Sequence, residues 1–330
     1  MANPAGKLSK CFKCDDDAVI RLHYCERSLC AAHFVRMFDK RFRSTVREFR
    51  MISKGERVAV GLSGGKDSTV LLNCLHELSK DLPMELVAIT IDEGIAGYRN
   101  ATLQIAKKQA KKLGIEHRVI SFKKEIGKTL DAILREQDTE HPTRNTGHTT
   151  RNTGHGTRNF LPCSWCGVLR RGLLNRAARE LEADKLAMGH NLDDMAQTVL
   201  MNIFRNEPSR TSRLLDPPAK GPGFVRRIRP LLRTPEKETA VYAMVRGMDM
   251  NYKECPYAQS AFRQLVRSQL NDMEELHPGT KYKVLGSFLA MEKAPGEHPA
   301  RARFTACSSC GEPGSSALCK FCEMTGKAAR

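Results

Sequence analysis

The sequence predicts an α/β fold, a parallel sheet with helices on both faces. Three observations predict it. Short apolar segments alternate with stretches of helical periodicity over much of the chain. The first of these segments runs straight into a glycine turn and then a helix. The composition, 41% hydrophobic and 28% charged over 330 residues, is that of a globular chain long enough to bury a large core. In such sheets ligands bind at the carboxyl ends of the strands.

Residues 1–33 are polar and cysteine-rich and read as an N-terminal metal-binding module. Over 34–53, Phe34, Met37, Phe38, Phe42, Val46, Phe49 and Ile52 fall near helical spacing with Arg and Lys between them, which predicts a basic amphipathic helix. Strands are expected at 57–63, 84–91, 117–122 and 185–190. Helices are expected near 67–80, 99–113, 125–137 and 193–206, with another opened by residues 163–166. Residues 141–159 interrupt this order with the hexamer TRNTGH, present at 143–148 and 150–155. A polar repeat with nothing to anchor it in a core predicts a flexible insertion, and His148 and His155 read as part of it rather than as metal ligands. The Pro and Gly residues of 217–223 predict a loop within 208–233. Residues 260–276 and 280–292 look helical, and 293–303 reads as a linker. The resulting domains are 1–33, a catalytic core at 34–258, a helical segment with linker at 259–303, and a second metal-binding module at 304–330.

Lys and Arg number 54 against 37 Asp and Glu, a net charge of +17, which points to a polyanionic partner and first of all to nucleic acid. The surplus concentrates in three places. These are the 34–54 helix, the stretch 141–179 with seven Arg and no Asp, Glu or Lys, and the 208–233 loop with seven basic residues and one acid, Asp216. No apolar run approaches membrane-spanning length and the start has no apolar signal region, so secretion and membrane insertion are not expected. The twelve cysteines, many in CxxC pairs, point to metal or redox chemistry in a reducing cytoplasm.

Ser63-Gly64-Gly65-Lys66-Asp67-Ser68 lies between a strand and a helix. Glycines let backbone N–H groups turn toward an anion, the helix directs its positive end at the same point, and Ser63, Lys66 and Ser68 add donors. The loop is a phosphate cradle, but neither a Walker A loop nor a dinucleotide GxGxxG. Cys163-x2-Cys166 opens a helix with an arginine-rich face, and Cys255 lies far along the chain. A CxxC by itself leaves redox, zinc and iron–sulfur readings open. At the N-terminus, Cys11-x2-Cys14 and Cys30-x2-His33 offer four soft ligands that suit a tetrahedral structural zinc. At the C-terminus, Cys307-x2-Cys310 and Cys319-x2-Cys322 offer four more. Cys74, on a predicted helix, reads as core.

SGGKDS resembles the PP-loop of the N-type ATP pyrophosphatases. Together with IDEGIAGYR (91–99), CSWCGVLRR (163–171), GHNLDDMAQTVLMNIFR (189–205) and ECPYAQSAFR (254–263), it resembles the cytoplasmic tRNA 2-thiolation enzymes, a branch of that superfamily. The match runs in order from about residue 11 to residue 322. It implies that Cys163, Cys166 and Cys255 hold a [4Fe–4S] cluster with one iron open for sulfide, the alternative being persulfide–disulfide chemistry by the same cysteines. The family's catalytic positions fall on Asp194 and Arg170. Arginine stays protonated and suits charge stabilisation better than base catalysis. Asp194 is expected to hold Mg²⁺ or to orient ATP and uridine, while Asp193 or Asp194 is also a candidate N-cap for the 193–206 helix. ATP is expected at Gly61, Ser63, Gly64, Gly65, Lys66, Asp67, Ser68, Ile91 and Gly189.

The family pattern leaves Cys25 a bystander of the first zinc. The resemblance is closest to enzymes of the wobble uridine, position 34, with a T-loop uridine as alternative. It further implies a tRNA partner, sulfur from a ubiquitin-like thiocarboxylate carrier or free sulfide, and assembly as a homodimer or with a homologous subunit. Competing readings are a zinc-finger RNA-binding protein with a relic PP-loop and a non-thiolating PP-loop ligase, which would not need the three internal cysteines. The TRNTGH repeat has no counterpart in this family pattern.

Overall fold

The structure is a computed structural model that describes residues 9–140, 161–211, 214, 223–251, 253–257, 262–293 and 305–326. The repeat at 141–159, with His148 and His155, and the linker at 294–303 therefore lie outside the described residues. A small antiparallel hairpin comes first, β1 (Ile20–Leu22) and β2 (Arg27–Leu29), turned by Glu26 in the left-handed region. Helix α1 (Ala31–Glu48) follows and buries Phe34, Phe38, Phe42 and Val46, one residue every fourth, with Arg36, Lys40, Arg43 and Arg47 turned outward. Each fully buried phenylalanine stabilises the fold by about 2–3 kcal/mol. The helix stops five residues short of the sequence expectation, where Arg50 adopts positive φ.

The main sheet and its helices then alternate as β3 (Arg57–Gly61), α2 (Lys66–Ser79), β4 (Glu85–Asp92), α3 (Arg99–Lys112) and β5 (Glu116–Ser121). The helix expected at 125–137 is instead two, α4 (Phe122–Ile126) and α5 (Leu130–Glu140), because Gly127 terminates the first at φ +82°. There follow α6 (Pro162–Glu180), β6 (Lys185–Ala187), α7 (Leu192–Phe204), the short α8 (Pro208–Thr211) and β7 (Arg226–Ile228). The Pro and Gly residues expected to form a loop lie, for 217–222, outside the described residues, and strand β7, to their C-terminal side, was not expected. Its Arg-Arg-Ile sequence has no apolar run, and the strand is stabilised by parallel pairing with β6 instead. Helix α9 (Glu236–Val245) was not foreseen either, its start masked by the prolines and arginines before it. Helices α10 (Phe262–Leu276) and α11 (Thr280–Lys293) complete the core region. A C-terminal hairpin, β8 (Thr305–Ala306) and β9 (Pro313–Gly314), ends in α12 (Lys320–Thr325).

Among the described residues, five strands form one sheet in the order β5-β4-β3-β6-β7, every pair parallel. The chain winds from β3 outward through β4 to β5 and then returns to the other side of β3 with β6. The direction of winding therefore reverses between β3 and β6, and a crevice opens at their carboxyl ends, where ligands bind in such sheets.

The N-terminal segment is locked to the core. Phe38 stacks on Tyr242 of α9 with ring centroids 4.0 Å apart, and Arg41 Nη1 pairs with Glu238 Oε2 at 2.6 Å. Tyr24 OH donates to the other oxygen of Glu238 at 2.9 Å. These contacts hold α9 against α1 and so set the position of the first turn of α9 over the crevice.

Candidate active site

The crevice is floored by the segment from Gly61 to Ser68. Gly64 sits at φ +83°, and a Cβ there would stand 2.0 Å from the Thr102 carbonyl oxygen, so only glycine fits. Ser63 Oγ and Ser68 Oγ lie 3.0 Å apart, and Gly65 N–H donates to Ser63 Oγ at 3.3 Å. Helix α2 begins at Lys66 with no side-chain cap, which leaves its first-turn N–H groups facing the crevice for an anion. Gly189, after β6, packs so close that a Cβ would meet Ser68 N at 3.0 Å. Gly61 ends β3, and Ile91, near the end of β4, accepts a bond from Arg99 through its carbonyl oxygen. The expected ATP residues therefore gather along one edge of the sheet.

The loop's charged groups are tied to elements distant in sequence. Lys66 Nζ reaches Asp67 Oδ2 at 3.0 Å and Glu236 Oε1, 170 residues away, at 2.7 Å. Burial opposes the lysine's charge, but the two carboxylates outweigh it and raise its pKa. Asp67 Oδ1 accepts from Asn191 Nδ2 at 3.1 Å and from Thr239 Oγ1 at 2.7 Å.

Asn191, not Asp193 or Asp194, is the N-cap of α7. Its side chain accepts from Asp194 N–H at 3.0 Å, and Asp194 Oδ2 accepts from Asn191 N–H at 3.3 Å, forming a capping box. Asp193 accepts instead from Glu236 N–H at 2.8 Å and pairs with Lys281. The box leaves Asp194 Oδ1 toward the cavity side, 3.8 Å from Arg263 Nη1. Burial, then the charge of Asp67, push the Asp194 carboxyl up to about 6 against the pull of Arg263.

The cysteines of α6 enter from the other side. Pro162 takes the first turn of that helix, Cys163 is exposed on it, and Cys166 lies one turn further, half-buried. Cys163 Sγ is 3.5 Å from the Tyr257 carbonyl oxygen, which brings the Cys255–Tyr257 segment onto the helix. Burial pushes the Cys166 thiol up to about 11, and burial raises Cys255 as well. Both thiols feel the charge of Cys163 and of Arg170. Arg170 Nη1 stands 3.8 Å from Glu93 Oε1, whose other oxygen pairs with Arg99 Nε at 2.9 Å. Arg99 Nη1 in turn donates to Ser63 O at 3.0 Å. An ion chain of Arg170, Glu93 and Arg99 thus links the cysteine side to the glycine loop. Desolvation works against the Arg170 charge, but Cys166 and Glu93 hold its pKa up.

The two sides meet in one cavity of about 170 Å³, bordered by Asp67, Asn191, Asp194, Glu236 and Arg263 and, across from them, by Cys163. Among the described residues, only the two terminal sets draw three or more candidate ligand atoms within 4.8 Å of one another. Cys163, Cys166 and Cys255 lie near enough to act on one another electrostatically without forming so tight a set, and three thiols are donors of the kind an iron–sulfur cluster takes. The carboxylates of Asp67, Asp194 and Glu236 border the same cavity, oxygen donors of the kind Mg²⁺ takes together with phosphates.

Each terminal set suits a tetrahedral ion. Cys30 Sγ and Cys14 Sγ lie 3.3 and 3.4 Å from His33 Nδ1, and Cys14 Sγ is 3.7 Å from Cys30 Sγ. At the other end Cys310 Sγ is 3.6 Å from Cys319 Sγ, and Cys319 N–H donates to Cys307 Sγ at 3.2 Å. Burial opposes ionisation of Cys11 and Cys307, but N–H donors and neighbouring thiols bring both down to about 6, while Cys14, Cys310 and Cys319 are raised, so one thiol of each set ionises first. Cys25 is exposed, with its Sγ directed at the Leu22 carbonyl, outside the first set. Cys74 is buried in the core.

Several residues of this site were not singled out from the sequence. Glu93, Asn191 and Arg263 lie inside the recognised motifs, where their neighbours carried the signal. Glu236, Thr239 and Arg267 lie outside every motif, and Arg267 reaches Glu236 Oε2 at 3.2 Å.

Sheet order and glycine loop define the class: this is a PP-loop protein, and a family model described as PP-loop domain matches residues 34–146 and 168–274. The cytoplasmic tRNA 2-thiolation protein 1 of Bos taurus is 36% identical, covering 97% of this chain and 87% of its own length. The tRNA-5-methyluridine(54) 2-sulfurtransferase of Pyrococcus horikoshii is 30% identical, over 96% and 94%. Among solved structures, the U34-tRNA thiolase NcsA of Methanococcus maripaludis with its [4Fe–4S] cluster aligns with TM-score 0.76 at 30% identity, over 97% and 98%. The chain belongs to the tRNA 2-thiolation protein family. No helix among the described residues is long and apolar enough to cross a membrane.

Proposed function

We propose that this protein is an ATP-dependent tRNA-uridine 2-sulfurtransferase acting on the wobble uridine, position 34. The observation that carries the reading is the cavity shared by Asp67 of the phosphate loop, Asp194 and Cys163, where an activating group and a sulfur source can reach one base. The Ser63–Ser68 loop and the uncapped start of α2 bind the phosphates of ATP, with Lys66 offsetting their charge. Asp67 and Asp194 would hold Mg²⁺, which would offset the charge of those phosphates. The uridine leaves its stack to enter the cavity. Its C2 oxygen attacks the α-phosphorus, the α–β bridging bond breaks and pyrophosphate departs. Sulfur then forms a bond to C2, the C2–O bond breaks, and AMP leaves with the oxygen.

Cys163, Cys166 and Cys255 would hold the [4Fe–4S] cluster, which when bound offers one iron without a protein ligand as a seat for sulfide. Arg170, kept charged beside Glu93, stabilises negative charge as it develops on the leaving group. The two terminal sets would each hold a structural Zn²⁺. The sulfur donor is a ubiquitin-like carrier with a C-terminal thiocarboxylate, or free sulfide. The working form is a homodimer or a pair with a homologous subunit, in the cytoplasm.

The test is direct. The protein is purified without oxygen, its iron and acid-labile sulfide are measured, and ATP, sulfide and unmodified tRNA are supplied. The reading expects 2-thiouridine, mapped by nuclease digestion and mass spectrometry to position 34. A loaded cluster with no 2-thiouridine overturns it, and thiolation mapped to position 54 moves the target to the T-loop.

A further inference from the structure

A second cavity, of about 210 Å³, opens on the far side of Asp194. Its polar wall is made by Arg171 of α6, Arg227 of β7, Arg229 just beyond that strand, and Arg263 of α10. The acid among its lining residues is Asp194 alone, shared with the first cavity and already beside Arg263. The other three guanidinium groups have no carboxylate partner among the described residues. Arg227 Nη2 donates to the Arg171 carbonyl at 3.2 Å and Arg229 Nη1 to the Leu214 carbonyl, so both are held in place by backbone rather than neutralised.

Burial, and for Arg171 and Arg227 also the charge of neighbouring arginines, lowers all three to about 10, which still leaves them charged at neutral pH. His190, on the same wall, is pushed down to about 3 by burial and by the surrounding arginines, so it adds no further positive charge. Like charges gathered in one cavity repel one another, and an anion entering it relieves that repulsion.

No residue of the Ser63–Ser68 loop borders this cavity, so it is distinct from the seat of the ATP phosphates. Arg171 and Arg227 also border a cleft of about 220 Å³ that runs beneath the C-terminal module to Lys320 and Phe321. That cleft is lined by Arg171, Arg176, Arg227 and Lys320 against one acid, Glu312, itself paired with Arg179, so positive charge continues away from Asp194, as a polymer requires and a single small anion does not.

We propose that this cavity binds the backbone phosphate adjoining the uridine under modification, with Arg171, Arg227, Arg229 and Arg263 gripping the phosphate while its base occupies the Asp194–Cys163 cavity. The assignment rests on the tRNA-thiolation reading and adds to it a subsite that positions the target nucleotide without reading its sequence.

The test is a cycle between protein and RNA, run with the full, cluster-loaded chain. Arg227→Gln and Arg229→Gln are assayed on tRNA with natural linkages and on tRNA carrying a single neutral methylphosphonate beside the target uridine. Each variant, and the methylphosphonate with unaltered protein, is expected to raise the KM for tRNA about ten- to a hundredfold while the KM for ATP stays unchanged. Variant and methylphosphonate together are expected to do no more harm than either alone, because both remove the same contact. Arg229→Lys is expected to recover part of the loss.

Independent, additive losses overturn the proposal, as does an unchanged KM for tRNA. Weaker inhibition by inorganic pyrophosphate with an unchanged KM for tRNA assigns the cavity to that product instead and also overturns it. If the unaltered protein makes no 2-thiouridine, the thiolation reading fails by itself. The same cycle read as tRNA binding affinity then still decides the phosphate subsite.

Discussion

At the two ends of the chain, each set of four candidate ligands comes from a short stretch, Cys11 to His33 and Cys307 to Cys322, with ligand atoms inside 4.8 Å of one another. In the centre, Cys163 and Cys166 from one helix meet Cys255 from a segment that reaches them across the fold, more loosely and beside a cavity. Each end offers four donor atoms, as many as a tetrahedral ion takes. The centre offers three thiols beside a cavity that Cys163 borders. Closure suits a metal that holds structure, and an open position suits one that takes part in a reaction.

The largest effect is expected of Cys255→Ala. It is expected to abolish both the cluster absorbance and thiolation while ATP binding persists, and retained thiolation would show that the centre does not work through three ligands. Next in size is Asp194→Asn, expected to reduce thiolation at least about a hundredfold, the range typical of a lost positioning or proton-handling group. Its effect on stability should run the other way. Because the folded-state pKa of Asp194 is raised from 3.8 to about 6, the native state binds the proton more tightly than the unfolded chain. The penalty is absent below about pH 4 and grows as pH rises toward 6. Removing the charge therefore stabilises the protein at pH 7, by no more than about 1 kcal/mol, since the side chain is 36% exposed and water screens it. Denaturant titration at pH 4 and pH 7 checks the sign. The wild-type thiolation rate should in turn fall as pH drops below about 6.

Cys319→Ser tests the C-terminal set. It should cost one zinc per chain by metal analysis and lower the melting midpoint by several degrees, because Cys307, Cys319, Phe321 and Cys322 pack into the same core cluster as α6. The iron content should change little. A loss of iron equal to that in Cys255→Ala would mean that the ends and the centre are not separate. The smallest effect belongs to Cys25→Ser, expected to leave zinc content unchanged and stability within about 0.5 kcal/mol.

Local features were legible to different degrees. The stripe Phe34, Phe38, Phe42, Val46 announced α1, and α2 and α3 lie within a residue of expectation at each end. Strand β7 was not legible, because two of its three residues are arginines and only pairing with β6 makes it a strand. Helix α9 was missed for a related reason. Its buried Glu238 and Thr239 break the apolar pattern, since their partners, Arg41 and Asp67, come from elsewhere. The N-cap of α7 fell to Asn191 because the capping box needs a carboxylate at its third position, which Asp194 supplies.

By itself the sequence determined what depends on short range: the phosphate loop, the helical stripes, the CxxC pairs and the terminal ligand sets. Spacing along the backbone dictates these geometries directly. Packing alone established that Glu236 and Thr239 close over Lys66 and Asp67, that Glu93 stands between Arg99 and Arg170, and that the Cys255–Tyr257 segment reaches Cys163. Such contacts arise from which faces pack together, and the cost of closing a loop varies so slowly with its length that sequence separation carries almost no information about them.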